Sequence, residues 1–286
     1  MAERLTRRQA LQAIAGAAGA TWVGLPVVVD GAVPGAADNG ASVKKLRLAF
    51  VTNNASEFWK AARAGCTKAE EEIPEITVDF KIPANGNTDD QDQILLDLVG
   101  HGIDGIAVSP IDPSNQTKVL DRVAKDAFLL TQDSDAPDSK RACYVGTDNV
   151  AAGRQAGDLI KKALPDGGKI MAFAGLKVAT SAKQRFGGLS ESLKGSNVEI
   201  LGILEDQTDR VRAQQNAQDS LADHPDLAGM VGIWSYNGPA ILKAVKDAKK
   251  GGKVKIVCFD EEPDTLDGVQ AGGIYATIVQ QPFEFG

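Results

Sequence analysis

From Lys45 onward the chain alternates between two kinds of hydrophobic pattern. Short runs rich in β-branched and apolar residues, typical of strands, are separated mostly by longer stretches whose apolar residues recur at helical spacing. Examples of the longer stretches are SEFWKAARAGCTKAEEE, AAGRQAGDLIKKAL and PAILKAVKDAKK. The strand-like runs are LRLAFV, ITVDFK, GIAV, FLL, CYVG, KIMAFA, EILGIL, GMVGIW, VKIVCF and YATIVQ. This order predicts repeated β–α–β units and therefore parallel sheets.

The strand-like runs also indicate how many sheets to expect. Many of them are apolar throughout, which is typical of strands covered by helices on both faces. About ten strands are more than one ordinary doubly wound sheet holds, so we expect an α/β fold of two doubly wound parallel-sheet lobes. We place the seam near VGTDNVAAG, where a strand gives way to a new helix.

The N-terminal segment differs from the rest of the chain. Arg4, Arg7 and Arg8 precede the charge-free run QALQAIAGAAGATWVGLPVVV, and small-residue cleavage sites follow, for instance after Ala37. Residues 1–37 are therefore predicted to be an export signal. The segment TRRQAL resembles the twin-arginine type of signal, which implies a periplasmic protein. The alternative is a transmembrane helix, because the run approaches the ~20 residues that span a membrane.

Composition excludes one class of partner. The chain has 286 residues, a formal net charge of −7 and two histidines. Nucleic-acid binding would require clustered Lys and Arg, so we expect no nucleic-acid partner. The cysteines, Cys66, Cys143 and Cys258, are odd in number and far apart, and we interpret them as buried free thiols.

Polar and aromatic side chains follow the predicted strands. In open parallel sheets the ligand crevice lies outside the carboxyl ends of the strands. Ordinary loop polarity would explain any single residue, but the recurrence favours a ligand site. The set comprises Thr52, Asn53, Asn54, Phe58 and Trp59 after LAFV, Asp133 and Asp135 after FLL, Ser181, Lys183 and Arg185 after MAFA, Ser235, Tyr236 and Asn237 after VGIW, and Asp260, Glu261 and Glu262 after IVCF.

This set of groups suits a polyhydroxy ligand. Carboxylates accept hydrogen bonds from hydroxyl groups, amides donate and accept, and an arginine supplies a fixed fork of donors. Phe58 and Trp59 could stack against the apolar face of a sugar ring. The alternative for this pair is packing on an amphipathic helix, which we expect for one of the two.

Enzymatic interpretations have less support. The sequence has no P-loop, no G-x-S-x-G elbow and no Cys/His metal spacing, so we expect no enzyme, no catalytic residue, no cofactor and no metal. His101 and His224 lie at predicted helix ends, where capping or exposure is the ordinary role. The rival is a glycoside hydrolase, since Asp133 and Asp260 could form a carboxylate pair.

Six motifs resemble those of the ribose-type periplasmic sugar-binding proteins, the solute receptors of bacterial ABC importers. They span the chain from about Lys44 to Gly286 and occur in the expected order. The motifs are FVTNNASEFW, TQDSDAP, YVGTDNVAAGRQAGDLI, SAKQRFGGL, FDEEPDTLDGVQAG and ATIVQQPFEFG.

The resemblance implies a set of ligand-binding residues. The first loop supplies the amide region that includes Asn53, and the strand ends and hinge supply the rest. The implied ligand-binding residues are Asn54, Ser56, Phe58, Trp59, Asp133, Ser134, Arg185, Thr208, Tyr236, Asn237, Asp260 and Gln280.

Three positions depart from the family pattern. Ser134 and Asp135 stand where ribose-type members commonly have an arginine, and Thr208 stands where an aromatic residue is usual. The usual asparagine falls near Tyr236 or Asn237, with the register open. With one positive fork fewer, the pocket is expected to reject anionic sugars and to accept a neutral monosaccharide, different from or larger than ribose.

The resemblance also implies the domain organisation. It predicts an N-terminal lobe of residues 44–148 plus 281–286 and a C-terminal lobe of residues 149–280, joined by hinge strands around a ligand cleft. One crossing is expected near residues 146–149, and another near residues 259–264 or 280–282. Because related chains usually continue through a further helix and strand, we expect the first lobe to be truncated at its C-terminal end.

The implied partners are a sugar ligand and the membrane permease of an ABC transporter, with the protein itself a monomer. A ligand-binding subunit of a chemotaxis or sensor-kinase system is the alternative, because such systems use the same two lobes.

Overall fold

The computed structural model describes residues 45–286, and every one of the ten predicted strand runs contains a strand. The export-signal hypothesis for residues 1–37, and the alternative of a membrane helix there, lie outside the described residues. Within residues 45–286, no helix has both the length and the apolar character to cross a membrane.

The first lobe is a parallel sheet of five strands with the order β2-β1-β3-β4-β5 and its associated helices. Its strands are β1 (Leu46–Val51), β2 (Ile76–Lys81), β3 (Gly105–Val108), β4 (Phe128–Gln132) and β5 (Tyr144–Val145), and its helices are α1 (Phe58–Glu72), α2 (Thr88–Gly100) and α3 (Pro113–Asp126).

The second lobe repeats this plan with the order β10-β9-β8-β6-β7, again all parallel. Its helices are α4 (Asn149–Ala163), α5 (Thr180–Leu193), α6 (Arg210–Asp223), α7 (Asn237–Asp247) and α8 (Pro263–Gln270). Its strands are β6 (Gly168–Ala174), β7 (Val198–Glu205), β8 (Leu227–Gly232), β9 (Lys255–Phe259) and β10 (Ala276–Ile278). Two sheets of this kind confirm the predicted α/β fold class.

Local sequence explains where several helices begin. The Asn87 side chain accepts a hydrogen bond from the Asp90 amide at 2.9 Å and caps α2. Asp112 caps α3, and Pro113 occupies the first turn, where its missing N–H is not needed. Asp148 caps α4 in the same way, so the long helix of the second lobe starts directly after the chain leaves β5.

Between residues 45 and 286 the chain passes from one sheet to the other at two places. It leaves the first sheet after β5 and enters α4 through residues 146–148. It leaves the second sheet after β10, and the short helix α9 (Pro282–Phe285) then packs on α1, where the Phe58 and Phe285 rings lie 6.3 Å apart. Residues 259–264, the other candidate for the second crossing, instead connect β9 to α8 within the second lobe.

Each lobe has its own hydrophobic core. In the first lobe, one cluster lies under α2 and α3, and a second includes Phe50, Trp59 and Cys66. In the second lobe, two larger clusters cover the two faces of the sheet. None of these clusters, among the residues that the structure describes, combines side chains from both lobes.

Glycines bring α4 and α5 into close contact. A methyl group at Gly188 would lie 2.9 Å from the Arg154 amide nitrogen and nearer still to the Val150 carbonyl oxygen. At Gly153, a methyl group would lie 2.9 Å from the Arg185 Cα atom. Because glycine carries only a hydrogen atom in place of a side chain, the backbones of the two helices can approach this closely.

The two histidines lie at helix ends, as predicted, but one of the three cysteines is less buried than predicted. His101 and His224 follow the last residues of α2 and α6. The three cysteines are free thiols, but only Cys66 and Cys258 are buried, and Cys143 is half-buried. Burial raises the pKa of Cys66 and of Cys258 to about 12, so both stay protonated at neutral pH.

Candidate ligand-binding site

A cavity of about 30 Å³ lies between the two lobes, at the carboxyl ends of their strands. We call it the central cavity. Side chains of both lobes line it, so the lobes approach each other here, and the volume is too small for a sugar ring unless they move slightly apart. The lining residues are Asn53, Asn54, Ser56, Phe58, Trp59 and Asp133 from the first lobe, Ser181, Arg185, Trp234, Ser235 and Asp260 from the second, and Gln280 beside the second crossing.

Asp133 follows β4 and is the acidic group that the first lobe contributes. Its Oδ2 atom accepts hydrogen bonds from the Ser109 hydroxyl at 2.8 Å and from the Asn53 amide at 3.4 Å. These bonds use one carboxylate oxygen and leave Oδ1 without a side-chain donor among the described residues. Desolvation by burial raises the pKa of Asp133, and the charge of Arg185 opposes this rise.

Asn53 is oriented by the same contacts. Its Nδ2 atom donates to Ser109 at 3.1 Å as well as to Asp133, while its buried Oδ1 atom finds no partner anywhere in residues 45–286. A buried acceptor without a partner carries a free-energy cost unless something else satisfies it. Asn53 therefore offers an acceptor to a bound molecule.

Arg185 extends from α5 and supplies the positive charge. Its Nε atom donates to the Asn149 side chain at 2.8 Å, and its Nη1 atom donates to the Ile233 carbonyl at 2.9 Å. The guanidinium also lies 4.6 Å above the centre of the Phe259 ring. These contacts fix the group, and within the described chain its buried Nη2 atom has no acceptor. The free donor is thus held in place before any ligand arrives.

Asp260 follows β9 and is the acidic group of the second lobe. Its Oδ1 atom accepts from the Gln280 amide at 2.8 Å, and Gln280 in turn accepts from the Thr147 hydroxyl at 2.7 Å. Because Thr147 and Gln280 belong to the two crossings, the carboxylate is bonded to the hinge. Desolvation by burial raises the pKa of Asp260 to about 7, against the opposing charge of Arg185.

The backbone is strained at the positions around this cleft. Asp133, Asp260, Thr208 and Gln207 have φ angles of 57°, 70°, 63° and 56°, in the left-handed region that favours glycine. Among the described non-glycine residues, only Lys249 shares this feature. Such strain persists where the surrounding structure imposes it, and it is concentrated at ligand sites.

Phe58 and Trp59 take different roles. Trp59 is buried in the core beneath α1, and its indole N–H donates to the Asn54 side chain at 3.2 Å. Phe58 is half-buried and meets Trp59 edge to face, with ring centroids 4.9 Å apart. Both line the central cavity, and both also pack on the cluster around Phe50, Trp59 as a buried member and Phe58 at its edge, whereas packing was expected for one of the two.

Four of the residues implied by the resemblance do not line the central cavity. Ser134 is fully buried, and its hydroxyl accepts a hydrogen bond from the Ser181 amide at 3.4 Å, so it joins the lobes. Asn237 donates to the buried Asp206 carboxylate at 2.8 Å and accepts from the Trp234 amide at 3.0 Å. Thr208 and Tyr236 line a separate, neighbouring cavity.

Asp206 explains why Tyr236 and Asn237 point away from the central cavity. It accepts the Tyr236 hydroxyl at 2.6 Å and the Asn237 amide at 2.8 Å. Desolvation by burial raises the pKa of Asp206 to about 6 although both bonds oppose the rise.

Asp135 also lies outside the cavity, which corrects its expected place in the pocket. Its carboxylate pairs with the Arg141 guanidinium and accepts the Thr131 hydroxyl at 2.6 Å. It therefore adds no free acceptor to the site.

The cavity also contains residues absent from the set implied by the resemblance. Ser181, Ser235 and Asn53 follow strands, and that position alone predicts them as site residues. The sequence does not indicate Trp234 as a site residue, because VGIW reads as the end of a buried strand. In the structure β8 ends at Gly232, so Trp234 belongs to the following loop at the cavity wall.

Comparisons with known proteins agree with this architecture. The family model for the periplasmic binding protein domain matches residues 48–286. The ribose import binding protein of Haemophilus influenzae is 25% identical over 251 residues, covering 86% of this chain and 84% of the relative. The D-allose-binding periplasmic protein of Escherichia coli is 28% identical over 240 residues, covering 80% and 77%.

Solved structures show the same likeness. An ABC transporter solute-binding protein from Burkholderia graminis, in complex with D-arabinose, superposes with a TM-score of 0.80 at 28% identity, covering 85% of this chain and 86% of the other. A glucose-galactose binding protein from Geobacillus stearothermophilus gives 0.81 at 26% identity, covering 85% and 87%. The matched segment contains both sheets and every residue of the central cavity, and the relatives named here are sugar-binding proteins rather than enzymes. The chain belongs to the periplasmic binding protein family, in its ribose-type, sugar-binding branch.

Proposed function

We propose that this protein is the periplasmic substrate-binding component of an ABC-type sugar importer. It binds a neutral monosaccharide unit between its lobes, closes on it and delivers it to a membrane permease. The observation that carries the proposal is the central cavity, where two buried carboxylates and the free Nη2 donor of Arg185 converge from both lobes. Export by the N-terminal segment and action as a monomer are parts of the same proposal.

The charges of the cavity support a neutral ligand. Asp133 and Asp260 are both buried, and Arg185 is the lining residue that opposes them. An anionic sugar would bring a further negative charge into this desolvated site, where Arg185 already faces two carboxyl groups, and this is costly without a further cation. Hydroxyl groups, in contrast, donate to the carboxylates and accept from the guanidinium.

The predicted binding residues contribute to this proposal in different ways. Asn54, Ser56, Phe58 and Trp59 form the wall of the first lobe, and Gln280 ties Asp260 to the hinge. Ser134 supports closure by bonding the second lobe, and Asn237 supports the wall through Trp234.

A binding screen tests the proposal. The panel contains D-ribose, D-allose, D-xylose, D-arabinose, D-fucose, D-glucose and D-galactose, with glucuronic acid and ribose phosphate as anionic comparisons. At a ligand concentration one hundred times Kd, mass action gives about 2.7 kcal/mol of stabilisation, which raises Tm by about 5 to 10 °C. Neutral sugars are expected to bind more tightly than the anionic pair. A panel in which no neutral sugar binds, or in which an anionic sugar binds best, would refute the proposal.

A further inference from the structure

A second cavity, of about 150 Å³, lies beside the central one and shares Asn54 with it. We call it the second chamber. The first lobe contributes the loop of residues 83–86 after β2, and the second lobe contributes Thr208, Arg210 and Tyr236. Because both lobes build its walls, the chamber takes this shape when they are closed, as the central cavity does.

The second chamber has no uncompensated charge. The Arg210 guanidinium pairs with both oxygens of the buried Glu262 carboxylate, at 3.2 and 3.1 Å, and lies 5.3 Å from the centre of the Tyr236 ring. None of the other described residues that line the chamber is charged. A charged group entering here would meet no free counter-ion, so the chamber suits a neutral occupant.

Several polar atoms of the chamber are nevertheless free. Within residues 45–286, Thr208 Oγ1, Asn85 Oδ1 and Asn54 Nδ2 make no hydrogen bond. The other side-chain atom of each asparagine is used: Asn85 Nδ2 donates to Asp90, and Asn54 Oδ1 accepts from Trp59. A hydroxyl, an amide carbonyl and an amide N–H₂ provide both donors and acceptors. This combination matches the hydroxyl groups of a sugar.

Thr208 is held in place by its surroundings. A β-branched residue at a φ of 63° is a conformational outlier, and Thr208 shares this left-handed backbone with Asp133 and Asp260 of the central cavity. Across the lobe boundary, a methyl group at Gly86 would come within 3.1 Å of the Thr208 hydroxyl. Gly86 and Thr208 therefore approach each other closely where the lobes meet, and a larger side chain at either position would enter the space of the chamber.

The size of the chamber indicates what fits. A cavity of about 150 Å³ is large enough to take a six-membered ring such as benzene. We propose that the second chamber is a subsite for the second sugar unit of a neutral disaccharide whose first unit occupies the central cavity. The inference rests on the proposed function, because it assigns the first unit to that site.

Titration calorimetry tests the subsite. The probes are D-glucose and D-galactose, each compared with disaccharides that carry the same ring: maltose and cellobiose for glucose, lactose and melibiose for galactose. Wild-type protein is expected to bind at least one disaccharide ten or more times more tightly than the matching monosaccharide. Thr208→Trp, which fills the chamber, is expected to reduce that ratio at least tenfold.

Two further variants make the test specific. Val211→Trp adds the same ring at a side chain that is 79% exposed on the same segment and does not line the chamber, so it should keep the wild-type ratio. Ala84→Trp fills the chamber from the first lobe and serves if Thr208→Trp does not fold. Monosaccharides that bind while no disaccharide binds more tightly would overturn the subsite and leave the proposed function standing. If none of these sugars binds at either size, the subsite is overturned for glucose- and galactose-containing disaccharides, and the wider panel of neutral monosaccharides decides the proposed function separately.

Discussion

Replacing Gly188 by alanine should destabilise the second lobe, while the same change at its neighbour Gly187 should not. The added methyl group at position 188 would lie 2.9 Å from the Arg154 amide nitrogen, which belongs to the backbone of α4 and cannot rotate away. At Gly187, which is exposed, the same methyl group would have no atom within 4 Å apart from the adjacent residues and the backbone of its own helix. The two variants therefore share the gain in helix propensity and differ in the steric conflict.

The expected magnitudes follow from these distances. Alanine in place of glycine inside a helix stabilises by about 0.5 to 1 kcal/mol, which is the whole effect expected at position 187. At position 188 an overpacking cost of about 3 kcal/mol outweighs this gain, leaving a net loss of about 2 kcal/mol. For a chain of this size, Tm should fall by about 4 to 8 °C in Gly188→Ala and rise slightly in Gly187→Ala.

Thermal unfolding of the unliganded protein, followed by circular dichroism, measures both shifts. The helix contact also positions Arg185, which bonds Asn149 at the start of α4, so sugar affinity should fall in Gly188→Ala as well. If Gly188→Ala were as stable as Gly187→Ala, the close approach of α4 and α5 would not exist in solution.

Three further predictions concern the central cavity. Arg185→Lys should weaken sugar binding at least tenfold in calorimetry, because an ammonium group lacks the planar fork that bonds Asn149 and Ile233 and aims a further N–H into the cavity. Arg154→Lys, at an exposed arginine of α4, is the control, and equal affinities in the two variants would contradict the assignment. Asp133→Ala should weaken sugar binding by about 10- to 100-fold, as expected for the loss of a hydrogen bond to a charged group, whereas Asp135→Ala should leave the affinity unchanged. A larger loss of affinity in Asp135→Ala than in Asp133→Ala would show that Asp133 is not the carboxylate of the site. The folded protein holds the Asp260 proton up to about pH 7, whereas the unfolded chain releases it near pH 4. The Tm of the unliganded protein should therefore fall as pH rises from 5 to 8, and Asp260→Asn should flatten this dependence. A variant with an unchanged pH profile would show that Asp260 does not titrate in this range.

The fold could be predicted from sequence because its signals are local. Apolar runs such as KIMAFA and VKIVCF mark strands covered on both faces, and the intervening helices carry their own caps at Asn87, Asp112 and Asp148. The positions of Asp133 and Asp260 directly after strands also sufficed to bring them to one cavity, since the carboxyl ends of parallel strands share an edge.

The direction in which a side chain points could not be predicted in the same way. Asn237 and Tyr236 follow a strand as Asp260 does, but both turn toward Asp206, whose buried carboxylate needs their hydrogen bonds. Asp135 lies two residues after Asp133, yet Arg141 holds it outside the cavity. Each outcome depends on a partner distant in sequence, which neither hydrophobic periodicity nor motif spacing reveals.

The separate hydrophobic cores of the two lobes have a thermodynamic consequence. Since none of the described clusters includes side chains of both lobes, separating the lobes breaks polar contacts, such as the one between Ser134 and Ser181, and exposes little apolar surface. The heat capacity of the protein should therefore change little when the lobes open or close, because that quantity follows the apolar area transferred to water. A negative heat-capacity change measured on ligand binding would then report mainly the apolar surface that the ligand and the cavity wall bury together.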